Sequence, residues 1–177
     1  MKENLMTRRI RAALLAATLP LALATTGAFD APAHAEEAVG HVMHVTKTPT
    51  CGCCGAWVDL AREAGFAVEV TDTDDYAGMK EAGDVPDAMQ SCHTTRVGGY
   101  TVEGHVPFAA VRKLLKERPA ISGIAVPGMP MGSPGMGDDP AARFDVLAFG
   151  GEAKPGEVFH KAGEKPATGW FDRLLGE

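Results

Sequence analysis

The chain has 177 residues, 45% of them apolar, and a formal charge of −6. That length supports a domain with a real hydrophobic core. The acidic balance, with no basic stripe, excludes a nucleic-acid binder, since phosphate binding rests on clustered Lys and Arg.

The N-terminal residues read as an export signal. Lys2, Arg8, Arg9 and Arg11 form a basic region, and Ala12 to Ala24 is apolar. Ala33-His34-Ala35 fits a small-x-small cleavage site, which makes Glu36 the expected mature N-terminus. The apolar stretch spans thirteen residues, short of the about 20 that a membrane-spanning helix needs. Thr7-Arg8-Arg9 also resembles a twin-arginine signal, so the export route stays open between Sec and Tat. Cleavage would remove four basic and two acidic residues and leave 142 residues at −8. The expected location is the periplasm, with no membrane span left after cleavage.

Val39 to Val45 reads as a strand, with His41 and His44 on opposite faces. Thr48-Pro49-Thr50 breaks it and signals a helix entry. The run Cys51-Gly52-Cys53-Cys54 follows directly. Trp57, Leu60, Ala61 and Ala64 then recur at helical spacing, and Gly65 ends the helix. Phe66 to Thr71 alternates as a second strand. Asp72, Asp74 and Asp75 lack the ligand spacing of a calcium loop and read as a turn and helix cap. A short helix is expected over Tyr76 to Ala82, and Val85-Pro86-Asp87 opens a turn toward Cys92. Thr94 to Val97 and Tyr100 to Glu103 flank Gly98-Gly99, a hairpin signal. Pro107 stands where a helix N1 proline belongs, with Phe108, Val111 and Leu114 or Leu115 as the buried stripe.

From Ile121 the character changes. The density of Gly and Pro in Gly123 to Gly137 predicts no regular element there. Phe144 to Phe149 and Glu157 to His160 read as a strand pair, and Trp170 to Leu175 as a short terminal helix. The expected organisation is a signal peptide over 1–35, a metal-binding domain over 36–120 and an extension over 121–177. Strand, helix, strand, helix, hairpin, helix is the order of a thioredoxin-like α/β domain, a mixed central sheet flanked by helices. Here it carries a Met/Gly/Pro-rich loop and a short C-terminal β extension. In that arrangement the cysteine run sits at a helix N-terminus, where the dipole favours thiolates.

Three of the four cysteines lie within four residues, and Cys92 is the fourth. A Cys53–Cys54 disulfide would be strained and Cys51–Cys53 nearly as tight, because a disulfide needs Cα atoms about 4.4–6.8 Å apart. A metal-held or redox-active cluster is the better reading. Cys51 and Cys54 have the C-x-x-C spacing of thiol–disulfide oxidoreductases and are the candidate catalytic pair. Cys53 adds nothing to that chemistry, but it is a further soft donor for a metal. Zinc sites commonly use two separated C-x-x-C pairs, which this chain lacks. Met129, Met131 and Met136 fall in a loop, and thioethers suit Cu(I) better than zinc. His93 and His105 are the two histidines worth testing as ligands.

Thr48-Pro49-Thr50-Cys51-Gly52-Cys53-Cys54, Ser91-Cys92-His93-Thr94, Glu103-Gly104-His105-Val106-Pro107 and Ala125-Val126-Pro127-Gly128-Met129-Pro130 together resemble the exported copper-resistance proteins called CopG. The resemblance runs from Val42 to Met136. It implies a thioredoxin-like domain whose C-terminal extension helps bind metal. It also implies copper ions bridged by cysteine sulfurs, and a role in interconverting Cu(I) and Cu(II) during periplasmic copper detoxification. Carried over by motif, Cys51, Cys53, Cys54 and Cys92 are thiolate ligands, and Met129, Met131 and Met136 belong to the site. The leading expectation is a monomeric periplasmic copper protein, with copper efflux or redox proteins as partners. Two rivals remain: a metal-free oxidoreductase using Cys51 and Cys54, and a copper or zinc chaperone without a redox role.

Overall fold

The computed structural model describes residues 40–163. The expected signal peptide, its cleavage site and the helix over Trp170 to Leu175 lie outside them. Seven strands form one mixed sheet in the order β2-β1-β3-β4-β5-β6-β7. They are β1 (Val42–Lys47), β2 (Ala67–Asp72), β3 (Thr94–Val97), β4 (Tyr100–Glu103), β5 (Gly123–Ala125), β6 (Phe144–Phe149) and β7 (Val158–Ala162). Three helices accompany it: α1 (Gly52–Glu63), α2 (Tyr76–Ala82) and α3 (Phe108–Glu117). The mixed α/β architecture expected from the sequence is therefore present.

Alternation along the strands sorts the helices onto two faces. Met43, Val45 and Val102 point into a core shared with Trp57, Val58 and Ala61 of α1 and Ala110, Val111 and Leu114 of α3. On β4 the intervening residues face the other way, toward α2: the Thr101 hydroxyl donates to the Gly83 carbonyl (2.8 Å), and Glu103 meets Lys80. Gly98 and Gly99 have φ of +58° and +91°, which lets the β3–β4 hairpin turn tightly. Asp75 caps α2 by accepting from the Gly78 N–H at 2.8 Å, as the acidic cluster led one to expect.

The first helix corrects the expected stripe. Its buried residues are Cys54, Trp57, Val58 and Ala61, whereas Leu60 is 37% exposed. The apolar face starts at the cysteine, one position round from where Leu60 placed it. Pro107 is likewise the residue before α3, not its first.

The region from Gly123 is a second correction, since Gly123–Ala125 is a strand. It pairs in parallel with β4 and antiparallel with β6, and all three residues are buried. Gly123 is what allows it: a Cβ there would collide with the Thr101 carbonyl oxygen and the Phe149 ring. Glycine density marks close approach of backbones here, not a loop.

The strand registers place Thr46, Thr94, Glu103 and Ala125 in one row across the sheet. Past that row, at a single end of the sheet, β1 leads to Cys51, Cys92 and His93 lead into β3, β4 leads to His105, and β5 leads to Met129. Residues far apart in sequence are thereby brought to one rim.

Glu103 holds the row together. Its fully buried carboxylate accepts from Lys80 Nζ (2.6 Å), the Ser91 N–H (2.6 Å) and the Thr94 hydroxyl (2.7 Å). Removing one partner of a buried, hydrogen-bonded ion pair strands the other charge. Lys80→Met is accordingly expected to cost about 3–5 kcal/mol in urea unfolding at neutral pH. The loss should shrink as pH falls, because burial already pushes the Glu103 carboxyl upward and protonation relieves the stranded charge. A change under about 1 kcal/mol would show that the pair is dispensable.

Candidate metal centre

Cys51 is the N-cap of α1, and its sulfur accepts from the Cys54 N–H at 3.4 Å. The turn before it closes through the Cys51 N–H to the Thr48 carbonyl (3.2 Å), so Thr48-Pro49-Thr50 aims the cysteine run into the helix entry. Cys53 and Cys54 fall in the first turn, near the positive end of the helix dipole. Cys92 arrives from the other side, just before β3. All four sulfurs lie within 4.8 Å of one another.

One pair is already joined. Cys51 and Cys54 form a disulfide across the C-x-x-C spacing, with Cα atoms 5.3 Å apart. The two intervening residues, Gly52 and Cys53, give the separation that the adjacent cysteines cannot reach. Cys53 and Cys92 are free and half-buried. Cys53 Sγ is 3.5 Å from Cys51 Sγ and 3.9 Å from Cys92 Sγ, so it stands between the disulfide and the distant thiol. Burial, and then the Cys53 sulfur, push the Cys92 thiol up to about 11.

His105 completes the group. Its Nδ1–H donates to the Pro134 carbonyl (2.7 Å), since that oxygen can only accept. Nε2 is then the unprotonated nitrogen, 3.2 Å from Cys92 Sγ, and it accepts the thiol proton. Burial lowers the His105 pKa, in keeping with a neutral ring. A backbone carbonyl holding one nitrogen while the other faces a sulfur is the usual support of a metal-binding imidazole. His93 is fully buried against Trp57, with ring centroids 4.8 Å apart, and neither of its nitrogens has a hydrogen-bond partner. Its pKa lies well below the ordinary range because of burial and then His105.

The Met-containing loop is stitched onto this site. The Ser91 hydroxyl donates to the Gly128 carbonyl, and the Gly128 N–H donates to the Gln90 carbonyl at 3.1 Å. Gly135, at φ +83°, lies so close to α1 that a Cβ would stand 2.7 Å from the Cys53 carbonyl oxygen. Met129 borders a cleft of about 380 Å³ together with Cys51, Cys92, Tyr76 and Gln90. Met131 is 66% exposed, and Met136 is half-buried beside Gly135. Of the three methionines, Met129 is the one that shares a wall with the cysteines.

The donor set fits a soft metal. An ion bonded to two sulfurs at about 2.3 Å holds them no more than about 4.6 Å apart, close to the spread seen here. Thiolates with an adjacent imidazole select Cu(I) or zinc over hard cations. Four-thiolate binding requires the Cys51–Cys54 bond to be reduced, with two electrons and two protons giving two thiols. Sequence reasoning placed the four cysteines and named His105, but it missed Glu103, Lys80 and Ser91. Only the spacing of Glu103 from His105 within one motif hinted at their role.

The chain is similar in sequence and fold to known proteins. Form 2 of copper resistance protein copG is 38% identical, with a TM-score of 0.62, and the match covers 68% of this chain and 97% of that one. Form 1 is 36% identical, again with a TM-score of 0.62, covering 70% and 98%. Residues 89–136 match a family described as a protein of unknown function, DUF411. No curated protein matches.

A thiol with a pKa of about 11 has roughly 100-fold less thiolate at pH 8 than one at 9, and only the thiolate is alkylated. Site-resolved alkylation of the disulfide-bonded protein should therefore show Cys92 reaching half its limiting rate near pH 11. A midpoint near 9 would mean that burial does not act on this sulfur.

Proposed function

The chain belongs to the family of copper resistance protein CopG, and on that premise we propose that it is a periplasmic copper-binding protein of copper resistance. The observation that carries this reading is the gathering of Cys51, Cys53, Cys54 and Cys92 within 4.8 Å. Copper would be held by those four sulfurs, with His105 at the Cys92 side and the Met129 thioether on the cleft wall. Met131 and Met136 would serve the same loop. Thiolates stabilise Cu(I), and an imidazole beside them tolerates Cu(II), so the site is suited to interconverting the two states. Bound copper supplies the one-electron chemistry.

The protein's own residues supply binding and proton handling. Cys92 keeps its proton until an ion displaces it, and with that proton lost to solvent His105 Nε2 keeps its lone pair for the ion. Lys80 and Glu103 fix Ser91 and so hold Cys92 in place. The protein is expected to act as a monomer, exported with its leader removed after Ala35. Helices long and apolar enough to cross a membrane are absent among the described residues.

Anaerobic Cu(I) uptake by the reduced protein, measured by metal analysis and copper-edge X-ray absorption, checks the reading. More than one copper per chain with sulfur coordination is expected. Uptake no greater than that of a Cys51/Cys53/Cys54→Ser triple variant would sink it.

The Cys51–Cys54 disulfide favours a second reading, a metal-free thiol–disulfide oxidoreductase. It requires disulfide reductase activity that is lost in Cys51→Ser and indifferent to Cys53→Ser.

A further inference from the structure

The four sulfurs are not equivalent. A sulfur within a disulfide carries no thiolate charge, and the thiolate is the metal-binding form. With the Cys51–Cys54 bond intact, the thiolate donors are Cys53 and Cys92 alone. Their sulfurs are 3.9 Å apart. An ion at about 2.3 Å from each would subtend about 116° at that spacing, whereas two-coordinate linear binding needs about 4.6 Å. The pair is therefore set for a trigonal ion with one more donor.

His105 Nε2 is the nitrogen that Cys92 already contacts. It lies 3.2 Å from Cys92 Sγ with its lone pair on that sulfur's proton, and Pro134 keeps the other nitrogen occupied. With a metal–nitrogen bond of about 2.0 Å, a trigonal ion would set nitrogen and sulfur about 3.7 Å apart. On that Cys92–His105 edge the ion needs an opening of about half an ångström as it replaces the proton.

We propose that the disulfide-bonded protein holds a single Cu(I) at Cys53, Cys92 and His105, a smaller ligand set than the four-sulfur centre, which takes over Cys53 and Cys92 on reduction. This rests on the copper reading above. The Cys51–Cys54 bond then sets capacity: one ion while it stands, several once it opens. A small thiol or a partner's thiol opens it in two steps. The incoming thiolate bonds to Cys51 Sγ, which borders the cleft, and Cys54, fully buried, leaves and takes a proton. A second thiol then frees Cys51 as a thiol and departs with the first as a disulfide.

Cu(I) titration of the full protein under nitrogen, against a chromophoric Cu(I) chelator, tests this before and after disulfide reduction. One copper per chain is expected with the bond intact, with both alkylatable thiols protected, and a larger number after reduction. His105→Ala should weaken the single site on the order of tenfold or more. If that variant fails to fold, His105→Gln, which keeps a donor toward Pro134, is read the same way. An oxidised form that binds nothing while the reduced form binds copper overturns this inference and leaves the copper reading standing. Equal capacity in both forms, or an indifferent His105 variant, also overturns it. Failure of both forms to bind removes the copper reading itself.

Discussion

A buried carboxylate organises the working end of this protein. Glu103 accepts from Ser91 and Thr94, the residues on either side of Cys92 and His93, and Lys80 balances its charge. Tyr76 adds a second grip on the same segment, donating from its hydroxyl to the Ser91 carbonyl at 2.8 Å. Ser91 in turn holds Gly128 at the start of the methionine loop. Cys92 thus gains a fixed position although it lies outside any strand or helix. Two charges out of water are a poor source of net stability, since desolvation offsets most of their attraction. Their value here is geometric: the pair specifies where one sulfur stands relative to three others 38 or more residues earlier in the chain.

The sulfur cluster combines two chemistries that usually occur apart. Cys51 and Cys54 have the spacing and helix position of a redox pair. Cys53 sits between that pair and Cys92, within reach of both. A redox pair normally benefits from isolation, because a third thiol invites the wrong disulfide. A metal centre benefits from crowding, because each thiolate adds charge and can bridge ions. The half-buried Cys53 and the cleft wall of Cys51, Cys92 and Met129 leave the cluster open to solutes from one side.

Much of the fold was legible in the sequence. Helix α2 and the hairpin of β3 and β4 fall on the expected residues, since local signals, a cap and a Gly-Gly turn, dominate there. The misses share one cause. The α1 stripe was misread because Cys54 and Val58 are buried by tertiary packing that no local count weighs against Leu60. Strand β5 was hidden because its glycine marks a close backbone approach to Thr101, visible only once β4 and β6 flank it. The methionine loop looked featureless, yet Pro134 and Gly128 are bound to His105 and Ser91.

The sequence by itself determined the chemistry: four thiols, three in one turn, two motif histidines and a run of thioethers can serve little besides a soft metal or a redox couple. It also determined the local elements, because caps, turns and periodicity act over a few residues. Only the tertiary structure decided which sulfurs are joined, that Cys53 stands between Cys51 and Cys92, and that His105 turns Nε2 toward Cys92. Those facts depend on register between strands far apart in the chain and on a buried ion pair whose two charges are 23 residues apart. Long-range pairing of that kind leaves almost no mark on the local pattern of either segment.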